Sequence, residues 1–490
     1  MSKKIIVIGS GFSSLAAATT LANQGQEVVI LEKNSQTGGR ARQFAAAGFT
    51  FDMGPSWYWM PDVFEAYFKK FNKKVSDYYE LVRLDPSYQV FFGDNDIVDI
   101  PAAYDELKAL FEKHETGSGK ALDKFLKEAK YKYEVGMNDL VHKPSRSILE
   151  FAQWKVISGV FRMQLFNSLS SHVKKYFKSD KLIKLLEFPV LFLGAKPQET
   201  PALYSLMNYA DISLGTWYPM GGMHKIVEAM TALAKEKGVE IRLNCEVKSL
   251  ETQNGKVVKA ITSQGDVEGH YFISGADYHH TDKQLLKAAF HNYSETYWDK
   301  RKMAPSSLLF YLGVNKRLKN LRHHNLFFDE SFDQHAIEIY DEPQWPSKPL
   351  FYVCVPSVTD STVAPEGCEN VFVLIPVAPD LKDDDATREI YYEKVMDRLE
   401  RLSGQQIREH VTYKRSYAHR DFISDYHAFK GNAYGLANTL RQTAILKPSI
   451  RNKKLSNLFY TGQLTTPGPG VPPSLISGQV VAKEVLKTIS

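Results

Sequence analysis

Cysteine is scarce in this chain: Cys245, Cys354 and Cys368 are the only 3 in 490 residues, and they stand far apart. That excludes a disulfide framework and any Cys-based metal knot, and it fits a reducing, cytoplasmic setting. Long apolar runs are missing too, since no stretch approaches the roughly 20 residues needed to cross a bilayer. There is no repeat, low-complexity tract or Pro- or Ser-rich linker, so a second domain is expected to be interleaved rather than appended. The net charge of +5 comes without basic runs or a nucleic-acid module, which argues against a nucleic-acid partner. No nucleophile–histidine pair, paired carboxylates or metal-ligand spacing stands out. The neighbours His279-His280 and His323-His324 are expected to point apart on any regular element, so no metal is expected. A strand signal begins within a few residues of Met1, leaving no room for a leader peptide.

What is present begins at once. Ile5-Ile6-Val7-Ile8 is a β-branched run suited to a buried parallel strand. It breaks into Gly9-Ser10-Gly11-Phe12-Ser13-Ser14 and then a small-residue helix from Leu15 to Ala22, closed by Gly25. Glu27 to Leu31 is the second strand, and Glu32 at its end can accept hydrogen bonds from a ribose diol. Glycines let the backbone approach a pyrophosphate, whose charge meets the amides of the helix N-terminus. Ser14 stands where a third glycine is common, so the helix–strand contact must absorb a hydroxyl. Directly afterwards, Lys33 leads into Gly38-Gly39-Arg40, a second close approach with a cation to pair with the diphosphate.

Composition is that of an ordinary folded protein, 43% hydrophobic and 24% charged, and the length suits 2 or 3 subdomains. Further strand signals fall at Val239–Leu243, Cys245–Leu250, Val257–Ile261 and His270–Ile273, with Asn254-Gly255 as a hairpin turn. Between about Val75 and Leu214 the pattern is mostly helical. Leu308–Val314 and Val371–Pro376 are strand candidates in a mixed region. Near the end, Tyr460-Thr461-Gly462-Gln463 runs into a loop rich in Gly and Pro, with Gly470-Val471-Pro472-Pro473 before a helix from Ser474. Such a loop is rigid, with amides converging on one point. From Val160 to Phe188 apolar residues recur with helical spacing among Lys174, Lys175, Lys178, Lys181 and Lys184. Two readings fit this stretch: a basic amphipathic surface for anionic lipid, or domain helices with a solvated lysine face.

The Gly9–Ser14 loop, Glu32 and Gly38-Gly39-Arg40 resemble the fingerprint of FAD-dependent oxidoreductases of the amine-oxidase and carotenoid-desaturase superfamily. Narrower runs extend the resemblance over nearly the whole chain: Asp52-Met53-Gly54-Pro55-Ser56, Trp217-Tyr218-Pro219-Met220-Gly221-Gly222, Ser274-Gly275-Ala276-Asp277 and Pro469-Gly470-Val471-Pro472-Pro473. Together these are similar to bacterial-type phytoene desaturases. The resemblance implies an α/β protein: a Rossmann-type FAD-binding domain from discontinuous segments (1–74, 215–290 and 441–490), an interleaved mixed α+β substrate domain (75–214 and 291–440), and a helical membrane-facing cap. It implies FAD held by Gly9, Gly11, Phe12, Ser13, Ser14, Glu32, Lys33, Gly38, Gly39 and Arg40, by Gly54, Pro55 and Ser56, by Val247 and Gly275, and by Gly462, Gln463, Gly470, Val471 and Pro472. Gln463 replaces an acid found in many flavoproteins.

The expected reaction is stepwise desaturation of phytoene towards lycopene, with oxygen or a quinone as final electron acceptor and peripheral contact with the inner face of the cell membrane. A hydrocarbon offers little to hydrogen-bond, so an apolar tunnel must set it against the flavin, and the aromatics Trp57, Trp59, Tyr209, Trp217 and Tyr218 would line it. Asp211 is the candidate proton acceptor. Other readings are desaturation of a later carotenoid, an amine oxidase, or a non-redox isoprenoid carrier. Oligomeric state is not legible.

Overall fold

A computed structural model describes residues 2–145, 167–439 and 442–489. Its nucleotide-binding layer is a 5-stranded parallel sheet ordered Leu458–Tyr460, Tyr271–Ser274, Lys4–Ile8, Glu27–Leu31 and Glu240–Arg242. Pieces separated by hundreds of residues therefore share one set of ladders. The central strands are buried on both faces, which is why they read as continuous β-branched runs. The helix Phe12–Ala22 starts earlier than its apolar pattern suggests, because Gly11 ends the tight turn and Phe12 already lies inside.

That first helix packs on the closing helix, Val471–Ile489. At Gly478 an added Cβ would lie 2.0 Å from the Ser13 carbonyl oxygen, so only glycine permits the backbones to approach this closely. The closing helix also begins before the expected Ser474, since Pro472 and Pro473 are accommodated in a first turn. A 3-stranded antiparallel meander, Val247–Gln253, Lys256–Thr262 and Gly265–Glu268, turns at Asn254 and Gly255, both at positive φ.

The second layer is a 7-stranded sheet ordered Val411–Tyr417, Ser306–Val314, Glu369–Val377, Phe351–Cys354, His324–Phe327, Tyr88–Gly93 and Asp96–Ile100. The last 2 strands come from a stretch whose pattern reads as helical. They are short, and Tyr88 to Phe92 is a run that carries no helical period.

Of the expected lipid-facing helix, Phe161, Leu165 and Phe166 lie outside the described residues. The remainder fits the other reading, helices of the domain itself. Leu169, Val173, Phe177, Leu182, Leu185 and Leu186 are all buried in the main core, in the helices Leu169–Val173 and Asp180–Glu187 and the turn between them. Lys181 and Lys184 pair with Asp96 and Asp180. This apolar face is spent inside the protein. No helix of the described residues is long and apolar enough to cross a membrane.

Candidate functional site

One cavity of about 370 Å³ lies between the two sheets and collects residues from nearly every segment. Its nucleotide side is built at the C-terminal ends of the parallel strands. Gly9 at positive φ ends the first strand, and its amide donates to the Leu31 carbonyl at 2.8 Å. Gly11, Phe12 and Ser13 follow at the start of the first helix, which has no side-chain cap on its first amides. Gly38, Gly39 and Arg40 face them; a Cβ on Gly39 would sit 3.4 Å from the Gly11 Cα. Two glycine loops thus oppose each other without side chains between them, leaving backbone amides to meet an anion.

Arg40 supplies the charge. Burial lowers its pKa, while Asp277 is its main counter-charge. Its Nη2 donates to the Asn432 carbonyl at 3.2 Å, and its Nε has no partner among the described residues. A buried cation short of acceptors beside facing glycine loops is what a bound diphosphate requires.

Glu32 lies 4% exposed at the end of its strand. Its carboxylate accepts from the Ser10 amide and hydroxyl at 2.8 and 2.6 Å, and from the Asn34 amide and side chain at 2.8 and 2.9 Å. A ribose diol would compete with the Ser10 hydroxyl and the Asn34 side-chain amide for these oxygens. Lys33, Val247 and Gly275 border the same cavity, as do Gly54, Pro55, Ser56, Gly462, Gln463, Gly470, Val471 and Pro472. Gln463 donates to the Asn432 side chain at 3.1 Å.

Ser14 does not border the cavity. It is fully buried behind the loop, where its hydroxyl occupies the space a Cβ on Gly275 would need, 2.0 Å away. The hydroxyl in place of the common glycine is thus absorbed by a glycine just past the neighbouring strand.

The other side of the cavity is apolar. Trp57, Trp59, Met60, Met207, Leu309 and Leu374 line it, with the hydroxyls of Ser56, Ser307, Tyr352 and Tyr434 as its sparse polar groups. Tyr209, Trp217 and Tyr218, expected here, are placed elsewhere. Tyr209 packs on Tyr133, the Trp217 indole donates to the Leu214 carbonyl at 2.8 Å, and Tyr218 donates to Asp360 at 3.2 Å. Asp211 also stays out of the cavity. It lies behind Trp59, accepting from Tyr88 at 3.0 Å and from the Thr216 hydroxyl at 3.2 Å, while Trp59 donates to Thr216 at 2.8 Å. Burial raises its pKa to about 7. It braces the wall and does not reach the chamber.

Residues missed at the sequence level come from one remote segment. Asp425, Tyr426 and His427 close over the nucleotide side. Arg42 pairs with Asp425 at 2.5 Å and donates to Tyr426 at 3.2 Å, Lys33 donates to the Ser424 carbonyl, and His427 stacks on His280 with ring centres 4.0 Å apart. The expectation that adjacent histidines diverge also needs correction. Donor atoms of His323, His324 and Cys354, all buried, lie within 4.8 Å of one another. His323 precedes the strand His324–Phe327, so its side chain is not bound by strand alternation.

Comparison with known proteins agrees with this geometry. The family model described as flavin containing amine oxidoreductase matches residues 12–486. A carotenoid 3,4-desaturase of Haloarcula japonica is 40% identical over 489 residues, covering 99% of this chain and 98% of the relative. A zeta-carotene-forming phytoene desaturase of Myxococcus xanthus is 29% identical, covering 99% and 94%. Among solved structures, an oxidoreductase from Methanosarcina mazei superposes with a TM-score of 0.65 at 17% identity, over 98% of this chain and 100% of that one.

Proposed function

This chain belongs to the flavin-containing amine oxidoreductase family and is an FAD-dependent oxidoreductase, and we propose that it introduces double bonds into an acyclic carotenoid. One observation carries the reading. The chamber walled by Trp57, Trp59, Met60, Leu309 and Leu374 is continuous with the dinucleotide cradle, so a hydrocarbon and the cofactor would share one cavity. When bound, FAD supplies a two-electron acceptor that takes a hydride from a C–H bond. The chain's part is to hold, orient and keep dry. The facing glycine loops and Arg40 anchor the diphosphate, Glu32 takes the ribose, and the apolar wall fixes the polyene by shape. Excluding water protects any cationic carbon from addition.

The greater likeness to the Haloarcula japonica desaturase weighs towards a partly desaturated, later carotenoid as substrate. Phytoene, desaturated towards lycopene, is the second reading, supported by the Myxococcus xanthus relative. An amine substrate finds no carboxylate lining the apolar side of the cavity among the described residues. Because the substrate lives in lipid, this reading includes peripheral contact with the cytoplasmic face of the membrane and reoxidation by oxygen or a membrane quinone.

The test is anaerobic incubation of the purified flavoprotein with liposomes holding either phytoene or a later acyclic carotenoid. Flavin bleaching with matching growth of the polyene spectrum in one arm assigns the substrate. Bleaching by neither, or by a primary amine instead, refutes the reading.

A further inference from the structure

Desaturation breaks two C–H bonds on adjacent carbons. One hydrogen would leave with its electron pair, for which FAD, held by the cradle, would be the two-electron acceptor. The other leaves as a proton, and its bonding pair becomes the new π bond. Asp211 does not reach the chamber, so that proton needs another acceptor.

Tyr352 lines the chamber, and its hydroxyl stands 2.6 Å from His324 Nδ1. The two strands pair antiparallel, which brings both side chains to one face. His324 is fully buried and lies parallel to the indole of Trp57, with ring centres 4.1 Å apart and planes 11° apart. His323 follows at 4.5 Å between ring centres. Its Nδ1 is 2.8 Å from the hydroxyl of Thr359, which is partly exposed. Between the rings something is missing: Nε2 of His323 and Nε2 of His324 are both buried without a partner among the described residues. The ring centres stand 4.5 Å apart, and one ring nitrogen of each histidine lies with Cys354 Sγ in a cluster 4.8 Å across, close enough for one water to join the rings. A small cavity of about 20 Å³, room for one water, lies beside the pair, touching His323 and Cys354 but not His324.

We propose that Tyr352, His324 and His323 form a relay that carries the released proton from the apolar chamber to the surface at Thr359. This rests on the desaturase reading. The tautomers agree along the line. A phenol donating to His324 Nδ1 leaves a proton on its Nε2. A His323 ring donating from Nδ1 to Thr359 leaves its Nε2 as an acceptor. One water between them satisfies both orphans. In turnover the Tyr352 oxygen takes the substrate proton as its own passes to His324 Nδ1. The imidazolium so formed lies on the Trp57 face. It gives up its Nε2 proton through the water to His323 Nε2, and His323 releases its Nδ1 proton to Thr359. At rest both rings are neutral, since burial lowers their pKa values, to about 3 for His323. Such weak bases suffice, because a proton beside an allylic cation is far more acidic than an imidazolium. The nearby groups are Cys354, 3.7 Å from His324 Nδ1, Tyr218 edge-on to His323, and Asp360 and Asp52 beyond it. Cys354 stays neutral, its thiol pushed up to about 12 by burial.

Tyr352→Phe and His323→Gln test the relay in the FAD-loaded protein, with FAD content and thermal midpoint as controls. Loss of general-base transfer predicts kcat down by about 10²-fold for Tyr352→Phe at unchanged KM, with a water-addition alcohol appearing among the products. His323→Gln should lower kcat about tenfold and enlarge the solvent deuterium isotope effect. Independently of turnover, 15N spectra of histidine-labelled protein should show His324 protonated at Nε2 and His323 at Nδ1. Tyr352→Phe turning over within twofold of the parent overturns the relay, as do the opposite tautomers, or a metal ion at one per chain occupying these nitrogens. If Tyr352→Phe does not fold, His323→Gln turning over like the parent overturns it. Parent protein that converts no carotenoid refutes the desaturase reading instead, an outcome that depends on neither substitution.

Discussion

Gly275→Ala puts a methyl where the Ser14 hydroxyl already is. The new Cβ would lie 2.0 Å from Ser14 Oγ, 3.3 Å from Ser14 Cβ and 3.5 Å from the Ile8 carbonyl oxygen. Ser14 has no open side to rotate into, being fully buried. Overpacking of this kind costs about 1–3 kcal/mol. Ser14→Ala behaves differently. Its Oγ has no partner among the described residues, so removing it should be neutral or stabilise by up to about 1 kcal/mol. In the double variant the two methyls meet at about the 3.3 Å contact, which the strand can relieve by a small shift. Gly275→Ala should therefore cost at least about 1 kcal/mol less in the Ser14→Ala background than in the parent. Urea unfolding of the 4 proteins, each with saturating FAD and without it, gives the coupling energy. A coupling below about 0.5 kcal/mol, within ordinary additivity, would show that Ser14 and Gly275 do not share this space. It would also remove the explanation of how the loop tolerates a serine.

Arg40→Ala should weaken FAD binding by about 10–100-fold, read by fluorescence titration of apoprotein, because it would delete the charge-assisted contact proposed for the diphosphate. Arg42→Ala cuts the ties to Asp425 and Tyr426 and should raise the FAD dissociation rate at least several-fold in stopped flow, with a smaller effect on association. Asp211 has a folded pKa of about 7 against an ordinary 3.8, so its contribution is fully present below about pH 4 and lost as pH rises through 7. Asp211→Asn should flatten that decline by up to about 4 kcal/mol between pH 4 and 8 in urea midpoints, without abolishing turnover.

The nucleotide layer was legible because its signals are local. A buried parallel strand must be β-branched throughout, and a loop against a phosphate must be glycine, so Ile5–Ile8, Gly9, Gly11 and Gly38–Arg40 announce themselves. The type of the second domain was legible only in its longest strands. Tyr88–Gly93 and Asp96–Ile100 are too short to show a period, and they enter the large sheet only through a partner at His324–Phe327. The closure by Asp425, Tyr426 and His427 could not be read at all, since Lys33 meets Ser424 across 391 positions of sequence. Aromatic content marked a greasy wall but not its orientation. Trp57 and Trp59 face the chamber, whereas Tyr218 in a similar neighbourhood turns to Asp360. The approach of His323 to His324 is not legible either, because neighbouring side chains diverge inside a strand but need not do so where one of them precedes it.

The ladder that joins residues 4–8 to 271–274 and 458–460 puts synthesis and assembly at odds. The opening strand leaves the ribosome long before either of its later neighbours exists, and the helix that seats Gly478 on Ser13 is translated after both of them. Until then the nascent chain carries an unpaired, β-branched edge, a ready target for chaperones or for sticking to another copy. A chain stopped before residue 458 should thus be a flavin-free, aggregation-prone product, and cofactor supply would act only once that strand and the helix after it have been made.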